Sequence, residues 1–329
     1  MKVLFCHRVH PELKDHYQKS LPSDMEIVIP EDTLEETLLS YADQVEIVVG
    51  YKFTKEFLDK AVKLKHIQVP WTGAETLDFK LLREYSHFTI SNSHSNSLAI
   101  AEHAVALLLS AAKRIVYRDT AMRTNDWSTR YNDVSSLWLT SRTLGIIGYG
   151  AIGQKVAQIL DKGFKMRILP IKRSTPEECP KEVAFLGTIE SLDYVLSNSD
   201  YILVALPLTN ETRNLISEKE LNLLKSNAII VNIGRGEVID EEALFNHLNQ
   251  NKIAGAGLDV WYNYPKDRKK PEVKQNYPFE TLPFLVMSPH SAFKVESREI
   301  PFAEDIVTNL IAVSNGETPI NLLNLEAGY

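Results

Sequence analysis

Short apolar runs alternate with amphipathic segments along most of the chain. In the first ninety residues the apolar runs predict strands at 3–6, 26–29, 46–49, 66–69 and 88–90. The amphipathic segments between them predict helices at 11–19, 33–39, 55–62 and 77–84. Thr33 and Glu36 have the spacing of a capping box at the start of the second helix. Regular alternation of this kind predicts an α/β domain built on a doubly wound parallel sheet.

The same alternation resumes in the second half of the chain. A polar hinge at 93–97 opens a long apolar segment, which predicts one helix over 98–116. Strands are then predicted at 143–147, 165–171, 201–206, 228–233, 254–260 and 285–287. Helices are predicted at 191–196, 217–224, 241–248 and 295–313. The pattern therefore indicates a second parallel sheet, followed by a helix that we expect to return to the first domain.

A glycine-rich turn stands where the second sheet begins. The strand at 143–147 is followed by Gly148, Tyr149, Gly150, Ala151, Ile152 and Gly153, and then by an amphipathic helix. A strand, G-x-G-x-x-G and a helix start are together typical of dinucleotide binding, because the helix N-terminus offers free N–H groups to a pyrophosphate. We therefore expect a Rossmann domain at 97–290, between a first domain at 1–96 and a returning segment at 291–329.

The residues after the second strand of this domain indicate which nicotinamide cofactor binds. Enzymes that use NAD place Asp or Glu about twenty residues beyond the glycines, where it binds the ribose 2′-hydroxyl. Here the corresponding positions are Lys172, Arg173 and Ser174. Cations and a hydroxyl attract a 2′-phosphate, which a carboxylate would repel. We therefore predict a preference for NADP over NAD, with plain surface charge as the alternative interpretation of these cations.

Composition and charge exclude several classes of function. The formal net charge is −7, which argues against a nucleic-acid-binding surface. The two cysteines, Cys6 and Cys179, are far apart and have no metal-ligand spacing, so we expect a reducing compartment and no metal site. No long apolar run or signal peptide is recognised, and we expect a cytoplasmic protein without a membrane span.

The chain resembles the D-isomer-specific 2-hydroxyacid dehydrogenases, in a superfamily that also contains formate dehydrogenases. Six runs carry the resemblance: NSLAIAEH at 96–103, LGIIGYGAIG at 144–153, ALPLT at 205–209, NIGRG at 232–236, GLDV at 257–260 and SPHSA at 288–292. The resemblance implies a Rossmann domain inserted in a flavodoxin-like substrate domain, an active-site cleft between them, and a homodimer formed through the Rossmann domain.

The resemblance also implies roles for individual residues. Arg235, in a turn after a predicted strand, would bind the substrate carboxylate, and His290 would act as the acid/base. The loop Trp71, Thr72, Gly73 and Ala74 would hold the carboxylate through its backbone N–H groups. Further contacts to the cofactor are implied for Leu206, Pro207, Thr212, Ile233, Gly234, Asp259 and His290. The pair Glu102 and His103 is interpreted as structural or interdomain rather than catalytic.

One position departs from the family pattern. A carboxylate that orients the histidine normally lies five residues beyond the aspartate of GLDV, where this chain has Tyr264. A tyrosine is neutral at pH 7 and would not raise the pKa of His290 as a carboxylate does. A tyrosine can still hydrogen-bond an imidazole, so we predict that Tyr264 replaces the orienting group and aids His290, with Asp267 as a fallback partner. Formate dehydrogenases also lack this carboxylate, and Asn96 matches the asparagine with which they bind substrate.

We therefore predict an oxidoreductase that transfers a hydride between NADP(H) and C2 of a small D-2-hydroxy or 2-keto acid. Two alternatives remain at this point. One is formate-dehydrogenase-like hydride transfer, and the other is a cofactor-sensing binding protein with little catalysis.

Overall fold

The computed structural model describes residues 1–174, 179–181, 183–267 and 269–326. The chain forms two compact units. The first contains Met1–Asn96 and the chain from Val295 onward, and the second contains Ser97–Lys294.

The first unit is built on a five-stranded sheet. Its strands are β1 (Lys2–Phe5), β2 (Glu26–Val28), β3 (Ile47–Val49), β4 (His66–Gln68) and β5 (Thr89–Ser91). Its helices are α1 (Pro11–Ser20), α2 (Glu35–Leu39), α3 (Lys55–Lys60), α4 (Phe79–Leu82) and, from the end of the chain, α11 (Glu299–Ser314). All strand pairs are parallel, in the order β2-β1-β3-β4-β5. This is the flavodoxin-like order.

Apolar side chains cover both faces of this sheet, as a parallel sheet requires. One face packs on Leu58, Leu82 and their neighbours, and the other packs on Tyr17 and Leu310. Leu310 lies on α11, which packs against α1, so the last helix completes the core of the first unit.

The second unit is built on a six-stranded sheet. Its strands are β6 (Thr143–Ile147), β7 (Arg167–Ile171), β8 (Tyr201–Val204), β9 (Ile229–Asn232), β10 (Gly255–Leu258) and β11 (Leu285–Met287). Its helices are α5 (Ser97–Ala112), α6 (Ile115–Met122), α7 (Ala151–Phe164), α8 (Leu192–Asn198), α9 (Glu218–Leu221) and α10 (Glu241–Asn249). The order is β11-β10-β9-β8-β6-β7, and all pairs are parallel. The prediction of two parallel-sheet α/β domains is confirmed.

Two local predictions were wrong. The helix expected over 98–116 is divided into α5 and α6, because Arg114 adopts a left-handed conformation with φ of 56°. Thr33 does not cap α2, whose N-cap residue is Leu34. A capping box forms instead at Ser217, whose hydroxyl and N–H both contact the carboxylate of Glu220.

Within the part of the chain that the structure describes, no helix has the length and apolar character needed to cross a bilayer.

Candidate active site

The glycine turn between β6 and α7 has the geometry that its motif predicts. Gly148 has a φ of +109°, and a Cβ added there would lie 2.5 Å from the carbonyl oxygen of Ala205. A Cβ added at Gly153 would lie 2.5 Å from the carbonyl oxygen of Gly148. Both positions therefore require glycine, the first for its conformation and the second for close packing.

The third glycine borders open space. Gly150 is the N-cap residue of α7, it makes no side-chain cap, and a Cβ added there would meet nothing within 4 Å. The N–H groups of Ala151 and Ile152 follow in the first turn of the helix. The site thus combines an open approach with the positive end of a helix of 14 residues. These features fit the pyrophosphate of a dinucleotide.

The loop with Lys172, Arg173 and Ser174 lies beside this turn. Ile171, the last residue of β7, accepts hydrogen bonds from the backbone N–H groups of Gly148 and Tyr149 at 3.2 and 3.0 Å. All three loop residues are exposed. The guanidinium of Arg173 forms an ion pair with Glu211 at 3.2 Å. The cations of this loop therefore lie beside the glycine turn, and Glu211 places a carboxylate near them.

The loops after β8 and β9 lie against one another near the same sheet edge. A Cβ added at Gly234 would lie 2.5 Å from the carbonyl oxygen of Leu206. The hydroxyl of Thr212 donates to the carbonyl of Pro207 at 2.7 Å, which closes the first of these loops. Ile233 is buried. These residues therefore lie together at the sheet edge where ligands of such sheets bind.

Arg235 is held at the end of β9 by Asn232. The side chain of Asn232 donates to the carbonyl of Arg235 at 2.9 Å and accepts from the N–H of Gly234 at 3.1 Å. The guanidinium of Arg235 donates to the carbonyl of Gly234 at 2.7 Å, and the residue is half-buried. The turn thus fixes the backbone from which the guanidinium projects.

Asp259 lies at the end of β10 and is almost completely buried, with 1% of its surface exposed. Its carboxylate accepts hydrogen bonds from the hydroxyl of Ser288 at 2.6 Å and from the N–H groups of Ser291 and Ala292 at 2.9 and 3.1 Å. Burial raises the pKa of Asp259, but the side-chain hydrogen bonds from His103 and Ser288, together with the two backbone N–H groups, outweigh burial and leave that pKa below its usual value. Asp259 is therefore ionised at neutral pH.

The turn that carries His290 is the one that Asp259 holds. His290 has a φ of +53°, a left-handed conformation that is uncommon for a residue with a side chain. Asp259 anchors the two residues that follow His290, and Trp261 donates from its indole to the carbonyl of Ser288 at 2.8 Å. Strained conformations of this kind persist where surrounding contacts hold them, often at functional sites.

Tyr264 lies beside His290, and its hydroxyl contacts the backbone of Trp261. The centroids of the two rings are 5.6 Å apart, while the Tyr264 hydroxyl accepts from the N–H of Trp261 at 3.0 Å. Burial raises the pKa of Tyr264, and the positive charge of Arg235 lowers it to a lesser extent. Tyr264 is therefore near both residues and remains neutral. Asp267 accepts from the N–H of Lys269 in its own turn.

Two further residues of this network were not assigned to the site from the sequence. Ser288 donates to Asp259, and His103 on α5 lies 2.9 Å from the hydroxyl of Ser288 through its Nε2. Both residues belong to the runs that carry the family resemblance. Their mutual contact, however, joins positions 185 residues apart, which no local pattern reveals.

The residues predicted to bind substrate in the first unit surround the end of β4. Trp71 packs against the ring of Tyr51 at 4.3 Å and lies edge-on to His7 at 6.4 Å. Burial lowers the pKa of His7, which is therefore neutral at pH 7. Three aromatic rings thus form an apolar wall next to the loop 71–74, in which Ala74 is buried and Gly73 is half-buried.

Thr72 and Asn96 are brought together in the same unit. The hydroxyl of Thr72 lies 2.7 Å from the side-chain oxygen of Asn96 and 2.8 Å from the carbonyl of Ser93. The side chain of Asn92 donates to the carbonyl of Thr72 at 2.6 Å. With its oxygen accepting from Thr72, Asn96 has an amide N–H group with which to bind an anion.

Comparison with known proteins gives one consistent result. The sequence model of the D-isomer specific 2-hydroxyacid dehydrogenase NAD binding domain matches residues 105–292. Glyoxylate reductase of Thermococcus kodakarensis is 32% identical over 334 residues, which cover 98% of this chain and 96% of that protein. Glyoxylate reductase of Aeropyrum pernix is 34% identical over 299 residues, which cover 88% of this chain and 86% of that protein.

Solved structures agree with the sequence relatives. An acyclic imino acid reductase in complex with NADPH and D-Arg has a TM-score of 0.76 at 25% identity, with coverage of 98% of this chain and 100% of that one. D-lactate dehydrogenase of Lactobacillus jensenii with NAD+ has a TM-score of 0.76 at 26% identity, with the same coverage. The chain therefore belongs to the D-isomer-specific 2-hydroxyacid dehydrogenase family and is an NAD(P)-dependent oxidoreductase that acts on CH–OH groups.

Proposed function

We propose that the protein reduces small 2-keto acids with NADPH and oxidises the corresponding D-2-hydroxy acids in reverse. The observation that supports this best is the grouping of functional side chains at three neighbouring strand ends. Arg235 follows β9, Tyr264 follows β10 and His290 follows β11. Tyr264 is in ring contact with His290 and within electrostatic reach of Arg235. A guanidinium and an imidazole therefore share one edge of the sheet, where ligands of such sheets bind.

Each residue then has a distinct task. The guanidinium of Arg235 binds the substrate carboxylate through parallel N–H groups. His290 gives a proton to the carbonyl oxygen during reduction and removes it during oxidation, because an imidazole titrates at about pH 6.5. The loop 71–74 and Asn96 supply further donors to the carboxylate. The nicotinamide cofactor, when bound, supplies or accepts the hydride.

A small substrate fits the aromatic wall of the first unit. Trp71, Tyr51 and His7 are bulky, so this wall is mainly apolar and leaves little room for a large side chain, although the Lys52 ammonium lies 5.7 Å from the centroid of the Tyr51 ring. Relatives named glyoxylate reductase support a substrate with only a small group at C2. Glyoxylate, hydroxypyruvate and pyruvate are therefore the first substrates to test.

The preference for NADPH is supported by the loop after β7. Lys172 and Arg173 present positive charge beside the glycine turn, and no acidic residue stands at these positions. One solved relative is an NADPH complex and another is an NAD+ complex, so the relatives do not decide between the two cofactors. The proposed preference for NADPH therefore rests on the cations of this chain. Lys172→Asp should raise KM for NADPH by about tenfold and change KM for NADH little, since one charge-assisted hydrogen bond contributes roughly 1.5–3 kcal/mol. Lys162→Asp, on α7, is the matched surface control.

A substrate panel tests the proposal as a whole. Consumption of NADPH and NADH is followed with glyoxylate, hydroxypyruvate, pyruvate and phenylpyruvate, and reduction of NADP+ and NAD+ with formate. The proposal predicts keto-acid reduction with a higher kcat/KM for NADPH. Formate oxidation without keto-acid reduction would establish the formate-dehydrogenase alternative. Tight NADPH binding without any turnover would indicate a cofactor-sensing protein.

We also propose a homodimer formed through the second unit and a cytoplasmic location. The segment from α6 to the start of β6 exposes several large apolar side chains, namely Ile115, Val116, Met122, Trp127, Tyr131 and Trp138. Exposed apolar surface of this extent is typical of an interface. Both cysteines are free, which suits a reducing compartment.

A further inference from the structure

His103 contacts the group that anchors the His290 turn. It lies on α5, and its Nε2 is 2.9 Å from the hydroxyl of Ser288 and 3.4 Å from the carboxylate of Asp259. The His103 side chain is only 27% exposed. The contact is therefore a partly buried hydrogen bond within the second unit rather than a fully exposed surface pair.

The direction of the hydrogen bonds follows from the proton count. Ser288 donates its single hydroxyl proton to Asp259 at 2.6 Å, because an ionised carboxylate can only accept. The Ser288 oxygen then has lone pairs to offer, so Nε2 of His103 carries the proton that it donates. A neutral imidazole with the proton on Nε2 satisfies this arrangement.

The Asp259 carboxylate joins this hydrogen-bond chain to the backbone beside His290, because it accepts from both. Asp259 accepts from Ser291 and Ala292, so its position fixes the two residues that follow the left-handed His290. A carboxylate that loses part of its hydrogen-bonded shell is held less firmly. The orientation of the His290 ring depends on its backbone, and an error of about 1 Å at a reacting group can cost roughly 100-fold in rate.

We propose that His103 is a positioning residue, which acts through Ser288 and Asp259 to hold His290 in its reactive orientation. This inference rests on the proposed role of His290 as the acid/base. It gives His103 a part in catalysis without contact to substrate or cofactor.

The test combines kinetics with hydrogen–deuterium exchange of the whole protein. His103→Leu removes the donor, whereas His103→Gln keeps an N–H group near the same place. We expect His103→Leu to lower kcat at least about tenfold, with KM and the Kd for NADPH within about twofold, and His103→Gln to recover most of kcat. Exchange in the peptide around Ser291 and Ala292 should rise in the leucine variant only.

A double mutant and a control variant complete the test. Ser288→Ala interrupts the same chain, so adding His103→Leu to it should change kcat little further. His247→Leu is the control, since this buried histidine of α10 bonds the carbonyl of Ala243 and the side chain of Asn222. It should lower Tm and leave kcat of the folded enzyme unchanged.

Two results separate failure of this inference from failure of the proposed function. Unchanged kcat and exchange in His103→Leu, with His290→Asn inactive, would overturn the inference alone. Full activity of His290→Asn would overturn the proposed function, while exchange at Ser291 and Ala292 would still report whether His103 holds the turn.

Discussion

Tyr264 gives the proposed acid/base an uncharged neighbour. Its ring packs beside His290 and its hydroxyl is bonded to Trp261, in the position where the family pattern places a carboxylate. Burial raises the pKa of Tyr264, so the phenol remains neutral throughout the range in which an imidazole titrates. The imidazolium form of His290 therefore gains no stabilisation from a negative charge on this neighbour.

The uncharged Tyr264 leads to a prediction about how the rate of reduction depends on pH. Reduction needs the protonated imidazole, so activity falls as pH rises through the pKa of His290. Tyr264→Glu adds a carboxylate, which raises that pKa, and the basic limb of kcat/KM should move to higher pH by about 1 unit or more. Tyr264→Gln is the neutral control. If the basic limb of the kcat/KM profile lay at the same pH in the Glu and Gln variants, this account would be contradicted.

Arg235 gives a second prediction for a single residue. Arg235→Lys keeps the charge but loses the planar pair of donors, so kcat/KM for the keto acid should fall roughly 10- to 100-fold while the Kd for NADPH is unchanged. Arg213→Lys is the matched control, because Arg213 forms an exposed pair with Glu237. Equal effects of the two substitutions would argue against carboxylate binding by Arg235.

At the scale of single elements, two similar sequence patterns have different outcomes. Thr33 and Ser217 each precede a glutamate by three residues, yet only Ser217 forms the capping box. Near Thr33, the carboxylate of Asp32 accepts from the N–H of Leu34, and the helix begins later. A local pattern predicts that a cap is available, and competition among neighbouring side chains decides which one forms.

The division between α5 and α6 shows a second limit of prediction from sequence, which is that contacts between distant segments are not visible in a local pattern. Strand positions followed the apolar pattern closely, and the glycine turn could be placed from its motif. The break at Arg114 could not, because its guanidinium donates to the carbonyl of Ala254 and covers the ring of Phe284. The His103–Ser288 contact was missed for the same reason. Contacts between distant segments override the periodicity of one helix.

The first turn of α7 gives a prediction with an internal control. Gly150→Ala introduces a methyl group into open space, so Tm should not fall, but the methyl group would obstruct a pyrophosphate and raise the Kd for NADPH by about tenfold or more. Gly163→Ala lies in the same helix, also in open space, and should raise stability by about 0.5–1 kcal/mol without changing the Kd. Equal Kd values in both variants would argue against phosphate binding at this turn.

At the scale of the whole molecule, the exposed apolar segment predicts an oligomer. We expect a dimer in sedimentation velocity at micromolar concentration. The double substitution Ile115→Glu and Met122→Glu should yield monomers, because charged side chains are unfavourable in the apolar centre of an interface. Val62→Glu, at an exposed apolar residue of the first unit, is the control. A wild-type monomer at these concentrations would exclude the proposed dimer.

The most direct test of the proposed function follows a deuterium label from cofactor to product. The enzyme is incubated with the best keto acid of the panel and NADPH that carries deuterium at the transferable C4 position, and the hydroxy acid is analysed by mass spectrometry and proton NMR. We predict one deuterium at C2 of the hydroxy acid from the wild type, with the D configuration for keto acids whose product is chiral, and almost none from His290→Asn. A product without the label, or equal labelled product from both proteins, would contradict the assignment.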